Sequence, residues 1–175
     1  MEIAPSARRA LVETTIESAF AGVTLGSGIS IRQSQVIDRY GEGCTDEEFG
    51  ALPKSEVTND WGNIPEEELE RICVAHLDPE GWRYYIPALA LSIMRNYDGC
   101  SMRVIGTISS LYPKADSWHY HVQRYDVLNA RQKFALALFL RHLPELAPLK
   151  FDEPKQVTRA LRNYWQDYLA TPNGT

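Results

Sequence analysis

ICVAHLDPEGWRYYIPALALSIMRNY, residues 72–97, is the longest apolar segment of the chain and carries its clearest turn and helix-start signals. Asp78-Pro79-Glu80-Gly81 reads as a strong turn, because proline presets φ at the second turn position and glycine takes conformations other residues resist. Short apolar runs flank it. Trp82, Tyr84 and Ile86 alternate with Arg83 and Tyr85, the period of a strand. The expectation is a short β-hairpin near residues 73–86. The rival reading continues a helix from Pro65 to His76 and places an extended linker after the turn. Pro87 then fits the first turn of a helix, where a missing N–H costs nothing. Ile86, Leu89, Ala90, Ile93, Met94 and Tyr97 follow at helical spacing, and Asn96, Asp98 and Gly99 stop it.

Outward from this centre the chain is mostly helical. Residues 7–21 form an amphipathic helix with Ile16, Ala19 and Phe20 in its apolar stripe. Ser30 caps a helix over 31–40 that Gly41 ends. Residues 41–63 read as a long loop, relieved by a capping box at Thr45-Asp46-Glu47-Glu48 and pinned near its end by Trp61. Pro65 and three glutamates open a third helix. Residues 101–112 read as helix, although their Val, Ile and Thr also suit a strand. Trp118–Gln123 alternates like an extended segment, Asp126 caps a helix over 127–142, and Asp152 caps the last one over 153–169. Residues 170–175 are expected to fray. The sum is a mainly α (α+β) protein, one domain over 1–175, built as a bundle of about six helices plus the hairpin.

Composition narrows the function classes. A chain of 175 residues with 44% hydrophobic content can bury a real core. Its net charge of −5 argues against a general nucleic-acid binder, which needs excess Lys and Arg for phosphates. No apolar run approaches the ~20 residues of a membrane span, and the first residues lack a signal-peptide core, so a cytoplasmic protein is expected. Cys44, Cys73 and Cys100 are an odd, widely spaced set that fits reduced thiols.

Ala19-Phe20-x-x-Val23-x-Leu25-Gly26-x-Gly28-Ile29-Ser30, then Trp61-x-x-Ile64-Pro65, then Leu77-Asp78-x-x-Gly81-Trp82-Arg83-Tyr84-Tyr85-Ile86-Pro87-Ala88 form a recognisable set. On these motifs the chain resembles a family of small bacterial proteins with no assigned function. That family shows an aromatic at the positions of Trp82 and Tyr85, Pro-Ala opening a helix, and a late glutamine before an apolar helix ending in Phe-Leu, here Gln132 and Phe139-Leu140. The resemblance covers about residues 16–142 and consists of structural punctuation; it implies a shared domain and carries across no activity.

No sequence pattern here is a catalytic or cofactor signature, and no cofactor is expected. Cys73-x-x-His76 and His119-x-His121 supply two half-sites for zinc, with Asp78 nearby, provided they meet in space. Gly22 to Gly28 lacks the Lys-Ser/Thr of a phosphate loop, and no GxSxG elbow is present. Aromatics are the more telling feature. An outward-facing Arg83 and Tyr85 on the hairpin, Trp61 beside them, and the acidic stretches containing Glu47, Glu48 and Glu67 describe a surface that binds a basic protein. The leading expectation is therefore a non-enzymatic protein-binding protein, for instance a bacterial immunity or antitoxin-type inhibitor steered by charge. The alternatives are a metal- or small-ligand-dependent enzyme or sensor, and a subunit of a larger assembly using Tyr164, Trp165 and Tyr168.

Overall fold

The computed structural model describes residues 4–170 apart from positions 57 and 100, so Cys100 and residues 171–175 of the expected frayed tail lie outside it. The order is α1 (Pro5–Ala19), α2 (Ile31–Asp38), α3 (Asp46–Ala51), α4 (Glu66–Leu69), α5 (Pro79–Arg95), α6 (Met102–Leu111), α7 (Trp118–Asp126), α8 (Ala130–Leu146), α9 (Glu153–Ala160) and α10 (Gln166–Leu169). A π turn, Leu161–Trp165, fuses the last two. Short 3₁₀ turns lie at Leu52–Ser55, Trp61–Asn63, Val74–His76 and Ala115–Ser117. The protein is mainly α, and no strand occurs among the described residues.

The expected hairpin is thus absent. Asp78-Pro79-Glu80-Gly81 is a helix start rather than a turn between strands. Asp78 is the N-cap, its Oδ1 accepting from Gly81 N at 2.9 Å, with proline at N1 and Glu80 in the first turn. These are the residues a helix N-terminus prefers. What the sequence conceals is a second bond to the same carboxylate: Ile29 N donates to Asp78 Oδ1 at 2.8 Å. The strand-like alternation of 82–86 has a simple cause. Every residue from Gly81 to Met94 except Arg83 is buried, and a helix buried on all sides has no polar face to mark its period. Pro87 consequently sits inside α5, not at its start. It leaves the Arg83 carbonyl without the usual helical donor.

Other expectations shift for similar local reasons. Trp118–Gln123 belongs to helix α7 rather than an extended segment. α8 begins three residues later than expected, because Asn129 and Gln132 form a full capping box that Asp126 does not. The 41–63 stretch contains α3 and two 3₁₀ turns. The helix expected from Pro65 is a single turn, α4.

α5 is the central element; it packs on α1, α4, α6, α7, α8 and the Trp61 turn. Leu89 and Ile93 are completely buried on it. The C-terminal end of α6 shows how aromatics finish helices here. Its last carbonyls have no intrahelical partner. Tyr125 OH donates to Ser110 O at 2.8 Å, and Trp165 Nε1 to Leu111 O at 2.7 Å. Trp82 Nε1 donates to Ser110 Oγ at 3.0 Å.

The motifs that carry the family resemblance meet in space. Gly28 and Gly81 are in backbone contact: a Cβ on Gly28 would lie 2.4 Å from Gly81 N, and one on Gly81 would lie 2.5 Å from Ile29 O. Ile31 N donates to Tyr85 OH at 3.2 Å, and Trp61 Nε1 to Phe20 O at 2.9 Å. The glycines permit the approach, Asp78 bonds both segments, and the two aromatics fasten its flanks. The motif is a clamp holding the segment before α2 against the start of α5.

Candidate functional site

The residues expected to form a binding surface separate into two groups. Trp61 is 6% exposed and Tyr85 1%, so both are core members. Trp61 does anchor the 41–63 stretch, as its placement suggested, but it presents no ring to a partner. Tyr85 is closed in by Glu56, Thr58, Ile64 and Glu68, and burial pushes its phenol well above the usual range. Tyr84 beside it is pushed up to about 12, again chiefly by burial. Arg83 is half-buried. Once residues 79–95 are a helix buried nearly all round, the outward face argued from a hairpin disappears. Glu47, Glu48 and Glu67 are in solvent or close to it, as expected.

The zinc half-sites do approach one another, but through other residues. α7 reaches the 74–76 turn with Arg124 and Tyr120. Arg124 Nη2 donates to the carbonyls of Val74 at 3.1 Å, Ala75 at 3.1 Å and Leu77 at 2.8 Å, and Tyr120 OH donates to Ala75 O. A buried guanidinium therefore bridges α7 and the 74–76 turn. His119 and His121 lie two apart on a helix, roughly 200° around it, and point to different environments. His119 is exposed; His121 is buried with Nδ1 3.3 Å from Ser110 O. His76 Nε2 pairs with Asp38 Oδ1 at 3.1 Å. Burial and then Asp38 push the Cys73 thiol upward, the wrong direction for a thiolate ligand or nucleophile. Among the described residues no group of three or more His, Cys, Asp or Glu is placed to hold a metal ion. The face of Tyr164, Trp165 and Tyr168 is largely turned inward, Trp165 being fully buried and meeting Tyr125 edge-on at 4.7 Å between ring centroids.

His121 gives the fold an acid sensitivity with a definite sign. Burial, then Arg124 and Lys114, lowers its pKa, and burial with Arg8 and Arg141 lowers that of His142. Unfolded imidazoles take up protons near ~6.5, above the folded values, so below that pH the unfolded state binds more protons. Stability is thus fully present above ~6.5 and falls as pH drops toward the lowered folded values. The melting temperature should decline between about pH 7 and pH 5. In His121→Gln/His142→Gln the decline should be shallower; an unchanged slope in that variant would contradict the assignment.

A concavity lies between α2 and α3; of the residues expected for a partner-binding surface, Glu48 is the one in its lining. Three local features build it. α2 is held by the Ser30–Gln33 capping box. Past its C-terminus the chain turns sharply, with Tyr40 at φ 56°, Gly41 at 76° and Gly43 at 72°. Gly41 N returns to Val36 O at 2.9 Å, satisfying an end carbonyl. The Thr45–Glu48 box then starts α3: Glu48 N donates to Thr45 Oγ1 at 3.3 Å, and Thr45 N to Glu48 Oε2 at 2.8 Å. That backbone bond holds the Glu48 carboxyl below its ordinary pKa. Further along, Gln33 Nε2 donates to Phe49 O at 3.2 Å and ties the two helices together.

The result is an open groove of about 570 Å³ lined by Val36, Ala51 and Leu52, with Arg39, Glu42, Gly43, Cys44 and Glu48 around them. Its electrostatics are one-sided. Between Arg39 and Glu56 the sequence holds five carboxylates against two cations, more than half of the chain's net −5. Asp46, Glu47 and Glu48 crowd the first turn of α3. Tyr40 stands 96% exposed on the turn beside the groove. The legible signals were the capping box and the acidic run; the left-handed Tyr40 and the packing of α2 on α3 were not legible.

No helix among the described residues is long and apolar enough to cross a membrane. No curated protein and no solved structure matches the chain. A family model described as "Family of unknown function (DUF6714)" matches residues 8–169, which extends the likeness through the C-terminal helices, and the chain belongs to that family.

Proposed function

We propose that this is a non-enzymatic protein-binding protein of the cytoplasm, acting as an immunity or antitoxin-type inhibitor that covers a basic site on a bacterial toxin or effector. The observation that carries this reading is the open α2–α3 groove with its concentration of carboxylates. A negative surface with an apolar floor suits a positive partner surface: charge speeds encounter and apolar contact slows release. Of the residues weighed for a metal, His76 pairs with Asp38, His121 is buried against Ser110 O, and the Cys73 thiol is pushed upward.

The test is a binding isotherm of the purified protein with the partner it retains from its native host, measured at low and high salt. The reading predicts one-to-one binding that weakens steeply as salt rises, and inhibition of the partner's activity on mixing. Salt-independent binding, or a partner whose activity is untouched, contradicts it.

A further inference from the structure

We infer that the α2–α3 groove takes a short amphipathic segment of the partner protein, one that lays an apolar side chain between lysines or arginines. This rests on the protein-binding reading and names the chemistry of its ligand. The floor sets the first requirement: Val36, Ala51 and Leu52 offer only apolar contact. The edges set the second. Glu42 and Glu48 line the groove, and Asp46 and Glu47 extend the negative charge along the first turn of α3, against a single cation, Arg39, in the lining. The groove is open to solvent, which suits a chain lying across a surface better than an enclosed small molecule.

Tyr40 supplies a further contact. It lies in sequence between Arg39 and Glu42, both lining residues, and its ring is almost wholly in solvent. An exposed phenol ring attracts a cationic side chain over its face. The segment's lysine or arginine therefore has two kinds of partner at this end of the groove, a carboxylate and an aromatic face.

The experiment uses the ¹⁵N-labelled full chain and two synthetic helical peptides of about three turns. One carries leucines on one face and Lys/Arg on the other; its twin has Glu in place of every Lys and Arg. The basic peptide should shift the amides of Val36, Arg39, Glu42, Gly43, Cys44, Ala51 and Leu52, and the twin should not. Glu42→Lys/Glu47→Lys should weaken the basic peptide more than about tenfold at low salt. Tyr40→Gly should weaken it about two- to fivefold while Tyr40→Phe retains it. Tyr40→Gly suits the left-handed backbone, so its urea midpoint should be unchanged or raised, which separates lost binding from lost folding.

An unshifted spectrum, shifts elsewhere, or equal response to both peptides overturns the inference. So do groove shifts that grow with protein concentration alone, since the occupant is then a second copy of this chain. Should the protein retain a host partner that leaves the groove amides unchanged, the protein-binding reading stands and this inference falls. Should it retain none, the reading itself falls.

Discussion

Gly81→Ala is expected to destabilise the protein by about 3 kcal/mol or more, at the upper end of what overpacking costs. The added Cβ would lie 2.5 Å from Ile29 O, 2.8 Å from Asp78 Oδ1 and 3.0 Å from Ile29 N. Two of these atoms are backbone, and the third is the carboxylate oxygen that joins the two segments. None is the free end of a flexible chain, so relief requires moving α5 away from the segment before α2. Gly28→Ala should behave alike, its Cβ falling 2.4 Å from Gly81 N and 2.8 Å from Gly81 Cα. Gly50→Ala is the internal control. Gly50 lies in α3 with nothing within 4 Å of its would-be Cβ. There alanine should stabilise by about 0.5–1 kcal/mol through helix propensity and a less free unfolded chain. Urea unfolding of the three variants checks the ordering. Gly81→Ala equal to Gly50→Ala would mean that the glycine contact does not clamp the fold.

Arg124→Met should cost about 2–5 kcal/mol, because it leaves buried carbonyls unsatisfied at roughly 1–3 kcal/mol each. Arg124 is 2% exposed, and its guanidinium donates to the carbonyls of Val74, Ala75 and Leu77, with the Tyr120 ring centroid 4.4 Å away. Removing it strands the carbonyls of the buried Val74 and Leu77 away from water, while exposed Ala75 keeps the Tyr120 hydroxyl. Arg124→Lys should not rescue, because an ammonium is a compact point charge that does not reproduce a planar fork. The damage should be local first. The 74–76 turn carries Cys73 at its N-cap, so loosening it should speed labelling of Cys73 by a thiol reagent in a Cys44→Ser background with Cys100 also replaced by serine. Labelling at the wild-type rate, with an unfolding midpoint unchanged, would show that Arg124 is not what fixes the turn.

These two contacts also explain what the sequence did and did not disclose. Local signals were reliable where they are satisfied locally. Ser30 and Thr45 cap their helices through residues three positions on, and both boxes are visible in the letters. Trp61 was legible as an anchor of the 41–63 stretch but not as a core residue closed to a partner, because its bond to Phe20 O is long-range. Asp78-Pro79-Glu80-Gly81 was ambiguous because the same residues open turns and helices. What decides is Ile29 N, a donor 49 positions away in sequence. His119-x-His121 shares a face only in a strand, and α7 is a helix. The hairpin expectation fell with the burial of α5 on all sides, and the Arg83–Tyr85 surface fell with it.

The groove was half legible. Its acidic run and the helix that presents it could be read; its apolar floor is shared between Val36 on α2 and Ala51-Leu52 after α3, which only packing brings together. The family model spans the clamp as well as the groove, and the clamp joins the segment before α2 to the start of α5.

The most direct test of the central claim is a paired capture from the native host, with wild-type bait beside Glu42→Lys/Glu47→Lys bait of equal unfolding midpoint. The account predicts one basic protein held stoichiometrically by the wild type and lost from the variant. The same protein on both baits in equal amount would contradict it.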